Sequence, residues 1–356
     1  MRIGLVCPYS LTLPGGVQGQ VIDLARALRR MGHDTRVLAP CDGPPPDAGV
    51  TPLGKSIPTA SNGSVAPLAP DASCALRTIR ALRDEAFDVV HLHEPLCPGP
   101  TLTALLFTEA PMLGTFHRAG GSAAYAVTKP LVRWAANKLD HRCAVSEDAA
   151  ATAEHALGGQ YEVVFNGIDI ERFAKVDPWP TEAPTIFFVG RHEPRKGLAV
   201  LIEAVRQMPI DLRLWVGGEG EETGRLREQT ADDSRIEWLG VISEYEKAAR
   251  LRGAQVFCAP SCHGESFGVV LLEAMAAETP IVASDIPGYR RVARPDADAL
   301  LVEPDDPAAL AGALTRVLAD SQLAAELVGS GQARALEFSM ERLAERYLTR
   351  YASLVG

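Results

Sequence analysis

The 356-residue chain predicts an α/β protein made of two doubly wound parallel-sheet domains in tandem. Three observations carry that expectation. Short, near-continuous apolar runs rich in β-branched residues alternate with segments of helical period, as in strands buried on both faces. There are twelve such runs, too many for one open sheet and suited to two of six. The alternation stops at residues 168–184, where Lys175-Val-Asp-Pro-Trp-Pro breaks it with two prolines.

In chain order, the first half offers strands at 2–7, 35–38, 88–92, 112–116, 142–145 and 162–165. The second offers 185–189, 212–216, 236–239, 255–259, 281–283 and 299–302. Between the first two strands lies a helix over 17–31. Val17, Val21, Leu24, Leu28 and Met31 share one face, and Gly32 stands where a helix end wants positive φ. Residues 43–72, rich in Pro, Gly and Ala, read as irregular. A last helix over 340–354 carries the stripe Met340, Leu343, Tyr347, Tyr351 and Leu354; its period leaves open which half it covers. We expect domains at 1–168 and 169–339, with 340–356 packing back on the first. No internal repeat is visible.

Composition narrows the function. The chain is 47% hydrophobic and 22% charged, which excludes global disorder, collagen-like repeats and coiled coil. Its formal charge of −10 argues against nucleic acid. Most of that charge is in the second half: residues 1–168 carry 14 Lys and Arg against 15 Asp and Glu. The seven cysteines are odd in number and scattered, without zinc-site spacing, so free buried thiols and a reducing cytoplasm are expected, and no metal. No run is long enough to span a bilayer, and the N-terminus lacks a signal-peptide pattern, so any membrane role is expected to be peripheral.

Open parallel sheets bind ligands at the carboxyl ends of their strands. Four motifs lie there. Pro14-Gly-Gly-Val-Gln18 joins the first strand to its helix, where glycine allows close backbone approach and free N–H groups favour an anion. It is not the dinucleotide fingerprint G-x-G-x-x-G, which is missing after both opening strands and so argues against a dehydrogenase. Gly190-Arg-His-Glu-Pro-Arg-Lys-Gly197 follows the strand over 185–189. Arg191 and Lys196, five apart across a proline-bent turn, can converge on one oxyanion, whereas cations at a helix start are otherwise mildly unfavourable. Glu265 and Glu273 are eight apart, about 80° from one another around a helix, and Glu273 falls inside an apolar helix. A carboxylate there needs an ion pair or hydroxyl donors such as those of a sugar or ribose. His117 ends the strand over 112–116 in Thr115-Phe-His117-Arg118, where a site role competes with a structural one.

In this order, the Gly15-Gly16 loop, Asn166-Gly-Ile-Asp-Ile-Glu-Arg-Phe173, Gly190-Arg191…Lys196-Gly197 and Glu265-x7-Glu273 resemble the family 4 retaining glycosyltransferases. The resemblance runs nearly end to end. It implies the GT-B fold, two Rossmann-like domains facing a cleft. The opening Met-Arg-Ile-Gly-Leu-Val-Cys-Pro-Tyr-Ser, Asn62-Gly-Ser-Val-Ala66, His91-Leu-His-Glu-Pro95 and Gly264-Glu-Ser-Phe-Gly-Val-Val270 are similar to family members that move mannose from GDP-mannose to the inositol ring of phosphatidylinositol.

By that resemblance Arg191 and Lys196 bind the diphosphate, and Gly16 abuts it. Glu265, with the backbone at Phe267 and Gly268, holds the donor sugar, and Glu273 the ribose. His117 lies beside the transferred sugar, the base stacks near Val241 and Ile242, and Tyr9, Gln18 and Asn62 line the acceptor side. His117, Arg191, Lys196 and Glu265 form the catalytic set, and no cofactor is tightly held. Arg77, Arg80 and Arg83 make one helical stripe for weak contact with an anionic inner membrane face. Pro67 stands where the lipid-acting members carry an arginine, and Glu244 follows Ser243 where an acidic residue closes the base loop. The alternatives are another UDP- or GDP-linked sugar with a soluble or different lipid acceptor, and a non-catalytic nucleotide-sugar-binding protein.

Overall fold

The computed structural model describes residues 1–13, 15–61, 64–118, 129–265 and 267–356. It divides into two compact units, Met1–Gly167 with Met340–Gly356, and Ile168–Ser339.

The first unit is built on a seven-stranded sheet. Its strands are β1 (Arg2–Val6), β2 (Asp34–Ala39), β3 (Val50–Pro52), β6 (Val89–His93), β7 (Met112–Phe116), β8 (His141–Ala144) and β9 (Glu162–Val163), all parallel. They lie in the order β3-β2-β1-β6-β7-β8-β9. The apolar runs over 2–7, 88–92 and 112–116 become the three central strands because only these are fully covered on both faces. On one face, the helix Gly16–Arg30 lays Val21, Leu24 and Leu28 against Ile3, Leu5 and Val37. The C-terminal helix Met340–Val355 closes the same layer, burying Met340, Leu343, Tyr347 and Tyr351 in that core. The helices Ala72–Glu85, Pro100–Phe107, Lys129–Ala136 and Glu147–Leu157 belong to the same unit.

Two expectations need correction. The first sheet has seven strands instead of six, and 43–72 is not irregular throughout. It contains β3 and an antiparallel hairpin of β4 (Ile57–Ser61) and β5 (Ser64–Leu68). Prolines hide both features. Pro52 ends an edge strand, and Pro58 faces Pro67 in a two-stranded ribbon, the edge setting in which a missing N–H is tolerated.

The second unit has a sheet of six strands: β10 (Thr185–Val189), β11 (Arg213–Gly217), β12 (Ile236–Gly240), β13 (Val256–Ala259), β14 (Ile281–Ser284) and β15 (Leu300–Val302). Their order is β12-β11-β10-β13-β14-β15. The core joins Ile186, Phe188, Leu214 and Val216 of the sheet to Leu198, Leu201 and Val205 of the helix Leu198–Gln207 and Leu310 and Leu314 of the helix Pro307–Ala319. Each sheet grows outward in one direction from its first strand and then in the other. The order reverses between β1 and β6 in one unit and between β10 and β13 in the other. Those reversals are where the loops after neighbouring strands part and leave room for a ligand.

Candidate active site

In the second unit, the loop after β10 and the loop after β13 meet at the reversal. Gly197 makes the meeting possible. Its φ is +69°, and a Cβ there would collide with the carbonyl oxygen of Pro260, just past β13. Backbone contact continues from Cys262 N–H to the Arg195 carbonyl at 2.8 Å. The single 3-10 turn Pro194–Lys196 is thereby pressed against the second loop, and Lys196 Nζ donates to Glu265 Oε1 at 2.5 Å.

Glu265 is well covered, and three donors converge on its Oε1: Lys196, Arg195 Nη1 at 3.2 Å and Ser261 Oγ at 3.3 Å. Its Oε2 has no hydrogen-bond partner among the described residues. A carboxylate held by one oxygen and open at the other is a fixed acceptor suited to a hydroxyl group.

The sequence places Arg191 and Lys196 on one oxyanion, but the structure does not bring the two into contact. Arg191, half exposed, pairs with Glu193 Oε1 at 2.7 Å, and Arg195 takes Glu193 Oε2 at 2.8 Å. The result is a chain of alternating charge, Arg191–Glu193–Arg195–Glu265–Lys196. Arg195 and Glu193 carry no role in the sequence reading, although both lie inside the 190–197 motif. Their role depends on a loop about 70 residues away.

Glu273 sits on the helix Val269–Ala276, largely covered, and its Oε1 accepts from Lys247 Nζ at 2.8 Å. Lys247 also reaches Glu244 Oε2 at 2.9 Å. Burial alone would lower the Lys247 pKa, but the two carboxylates outweigh it and hold the ammonium above its ordinary range. The carboxylate that the sequence leaves needing a partner therefore has one, on the neighbouring helix Glu244–Gly253. Sequence reasoning missed Lys247, because a lysine in a charged helix carries no signal of its own.

The other expected donor residues also follow carboxyl ends. Exposed Val241 comes directly after β12, and Ile242 packs over Gly217 at the end of β11. Phe267 is buried edge-on against Phe338 at 5.6 Å, and Gly268 takes φ +77° ahead of its helix, against Tyr289. The helices Leu198–Gln207 and Val269–Ala276 both start without a side-chain cap or an acidic first turn. Their N-terminal N–H groups are thus open to an anion.

In the first unit, Gly16 opens the helix after β1, with free space where a Cβ would stand and no side-chain cap. Gln18 is buried; its amide faces the Ser10 and Leu13 carbonyls at 3.5 and 3.4 Å, bracing that loop. Tyr9 is partly buried and bridges to Leu68 of the hairpin. Asn62 lies outside the described residues. Arg77, Arg80 and Arg83 are exposed on the helix Ala72–Glu85, but Arg77 donates to the Leu53 carbonyl and Arg80 pairs with Asp84.

His117 directly follows β7 and joins a set of groups that sequence reasoning left without roles. His91 and His93 project from one face of β6 and stack at 4.2 Å. His91 hydrogen-bonds Tyr351 OH and Thr115 Oγ1, both at 2.7 Å, and His93 Nδ1 shares a hydrogen bond with His117 Nε2 at 2.9 Å. Glu94, at φ +53°, turns its buried carboxylate onto the His117 N–H at 2.8 Å. Burial pushes the Glu94 pKa up to about 7 against that hydrogen bond, and burial takes His117 down to about 4. His91 and His93 are held well below the usual histidine range for the same reason. Two histidines at i and i+2 in a buried strand, with a third just past the end of the next strand, were the available signal.

Among the described residues, one group has metal-ligand spacing: His141, Cys143 and Glu162. Its carboxylate is already taken by Arg350, through two hydrogen bonds at 2.7 and 2.8 Å, and by His141 Nε2 at 2.9 Å. The guanidinium stands where a cation would, so the cluster reads as an edge-strand ion pair. No described helix is long and apolar enough to cross a membrane.

The description "Glycosyltransferase Family 4" matches residues 14–172, and "Glycosyl transferases group 1" matches 169–334. The chain is 38% identical to the phosphatidyl-myo-inositol mannosyltransferase of Mycolicibacterium smegmatis, covering 100% of this chain and 95% of that one. It is 30% identical to the D-inositol 3-phosphate glycosyltransferase of Xylanimonas cellulosilytica, over 95% and 91%. Among solved structures it resembles Anabaena Alr3699/HepE in complex with UDP and glucose, with TM-score 0.77, 20% identity and coverage of 99% and 100%. Sucrose-phosphate synthase from Thermosynechococcus elongatus gives 0.76, 22% identity and coverage of 99% and 98%. These structural likenesses speak to the fold.

Proposed function

The chain belongs to the family 4 glycosyltransferases of GT-B fold, and from that premise we propose that it transfers mannose from GDP-mannose to the inositol ring of phosphatidylinositol, with retention at the anomeric carbon. The observation that carries the reading is 38% identity along the whole chain with relatives named phosphatidyl-myo-inositol mannosyltransferase.

The chemistry derives from the second unit. Lys196 has three N–H donors and one carboxylate partner, so it can add a phosphate oxygen without leaving Glu265. Arg191, half exposed, can swing from Glu193 onto the same diphosphate. Glu265 Oε2 and the N–H groups at Phe267 and Gly268 receive the sugar hydroxyls, and Glu273 Oε2 receives the ribose. The base lies along Val241 and Ile242, and Gly16 brings backbone N–H groups to the diphosphate. As the bond from the anomeric carbon to the phosphate oxygen breaks, negative charge builds on the diphosphate, and the cations and helix N-termini stabilise it. The acceptor hydroxyl oxygen forms the new bond on the face being vacated, and its proton passes to the departing phosphate. Tyr9 and Asn62 belong to the acceptor side; Gln18 serves it by bracing the loop.

One observation favours a second acceptor class. Pro67, whose carbonyl accepts from the Ser10 N–H at 3.0 Å, occupies the place where the resemblance puts a lipid-phosphate arginine. A soluble inositol phosphate, the acceptor named for the 30% identical relatives, makes no demand on a lipid contact. Membrane binding through Arg77, Arg80 and Arg83 is proposed as weak and salt-sensitive, about 1 kcal/mol per cation at most.

The deciding experiment offers GDP-mannose and a panel of UDP- and GDP-sugars with phosphatidylinositol vesicles, with soluble inositol phosphates and with neither, and reads product mass. Mannosylated phosphatidylinositol is the expected product. A soluble glycoside alone moves the assignment to the second class, and no turnover or donor hydrolysis in any arm overturns both.

A further inference from the structure

At the reversal of the first sheet, the buried polar groups are paired almost without exception. His91 uses both ring nitrogens, Thr115 joins it to Tyr347 OH at 3.2 Å, and Glu94 accepts from the His117 backbone. His93 is 2% exposed, and its Nε2 has no hydrogen-bond partner among the described residues. Its Nδ1 is the atom that meets His117 Nε2.

Two neutral imidazoles joined by one hydrogen bond share one proton between those nitrogens, and two assignments are possible. If His117 donates from Nε2, the His93 proton sits on Nε2, as a buried N–H with nothing to receive it. If His93 donates from Nδ1, the orphan is a bare lone pair. Unpartnered buried N–H groups are the rarer kind, and leaving a donor unmade costs about 1–3 kcal/mol. The second assignment wins, and it places the His117 proton on Nδ1.

We propose that His93 is a positioning residue that fixes His117 as the Nδ1–H tautomer, so that His117 offers a hydrogen-bond donor to a hydroxyl of the transferred sugar. The sugar-facing half rests on the proposed function; the tautomer does not. Burial keeps both rings neutral, so the tautomer, not the charge, decides what His117 presents. Glu94 holds the backbone of the same residue, fixing the ring from its other end. One consequence bears on the chemistry. With Nε2 already accepting from His93 and Nδ1 protonated, His117 has no lone pair for the acceptor hydroxyl. The proton of that hydroxyl must leave with the diphosphate.

The test is a long-range proton–nitrogen correlation on the full chain with nitrogen-labelled histidine, His117 being assigned by the signal lost in His117→Gln. The expected wild-type spectrum shows a protonated Nδ1 and a bare Nε2 on His117. A protonated Nε2 overturns the proposal without any substitution at His93, so a misfolded variant cannot rescue it. His93→Asn puts an amide nitrogen near the position of Nδ1 and should keep the tautomer, with kcat within about threefold of wild type. His93→Leu should lose it and lower kcat about tenfold, the equivalent of one hydrogen bond in the transition state, with a smaller change in KM. An unchanged His117 spectrum in His93→Leu overturns the positioning role. A lost tautomer with normal turnover overturns the sugar contact instead.

Discussion

The two sheets reverse at equivalent strands, yet they furnish the reversal with opposite chemistry. At β10 and β13 the side chains are ionised and partly exposed, and they cancel one another: Arg191, Arg195 and Lys196 against Glu193 and Glu265, Lys247 against Glu244 and Glu273. At β1, β6 and β7 they are buried: His91, His93 and His117 are held neutral by depressed pKa values, and Glu94 is pushed up to about 7, well above the usual carboxylate range. Ion pairs whose members can exchange partners suit a group arriving with two or more negative charges, whereas neutral donors and acceptors suit hydroxyl groups. The same kind of sheet thus presents ionised groups at one reversal and mostly neutral ones at the other, through the residues at the carboxyl ends of its strands.

The strongest test of that contrast removes one cation. Lys196→Ala leaves Glu265 with Arg195 and Ser261, so the fold should stand. We expect kcat to fall about 10²–10³-fold, as when one donor to a developing oxyanion is lost, while the affinity for free GDP changes by less than about tenfold. Turnover assays and calorimetric titration read the two effects. Near-normal turnover would break the proposed grip on the diphosphate and make the Lys196–Glu265 pair merely structural.

The neutral side is tested by pH. The Glu94 carboxyl moves from 4.5 to about 7 on folding, so between those values the folded chain holds a proton that the unfolded chain has released. The contribution of Glu94 is present below about pH 4.5 and is lost as pH rises through 7. The histidines act with the opposite sign: His117, depressed from 6.5 to about 4, loses stability as pH falls through that window. Comparing Glu94→Gln with wild type cancels the histidines. The variant's stability relative to wild type should rise by up to about 3 kcal/mol between about pH 5 and pH 8 in urea unfolding. A flat difference would mean that Glu94 is ionised throughout and that the first reversal is charged like the second.

The same contrast explains what could be read from the sequence. Strands β1, β6, β7, β10, β13 and β14 declare themselves because burial on both faces leaves few polar residues to blur them. Strand β6 is the exception that carries information, since His91 and His93 interrupt an apolar run on one face. Strand β3 and the β4–β5 hairpin stayed hidden because Pro52, Pro58 and Pro67 suppress the strand signal, and only an edge position makes them acceptable. Glu273 was legible as an expensive carboxylate and Glu265 through the family motif, but their partners were not. Lys196 meets Glu265 only because Gly197 admits the Pro260 carbonyl, and Lys247 meets Glu273 only because two helices lie side by side.

That last pair leaves Glu273 with two roles to separate, partner of a buried lysine and holder of the ribose. Glu273→Gln leaves Lys247 with Glu244, whose side chain is 62% exposed, and should cost about 1–3 kcal/mol in unfolding free energy. The single variant cannot assign the loss, because a destabilised helix would weaken donor binding as well. Glu273→Gln combined with Lys247→Met can, since replacing a buried pair by apolar and neutral groups of similar size is often close to neutral for stability. If Glu273 is only a counter-ion, the double variant regains both stability and the KM for donor. If Oε2 holds the ribose, stability returns while KM stays raised several-fold, and a donor analogue lacking the ribose hydroxyls should bind wild type and double variant alike. Recovery of both quantities would confine the donor grip of the second unit to Arg191, Lys196 and Glu265.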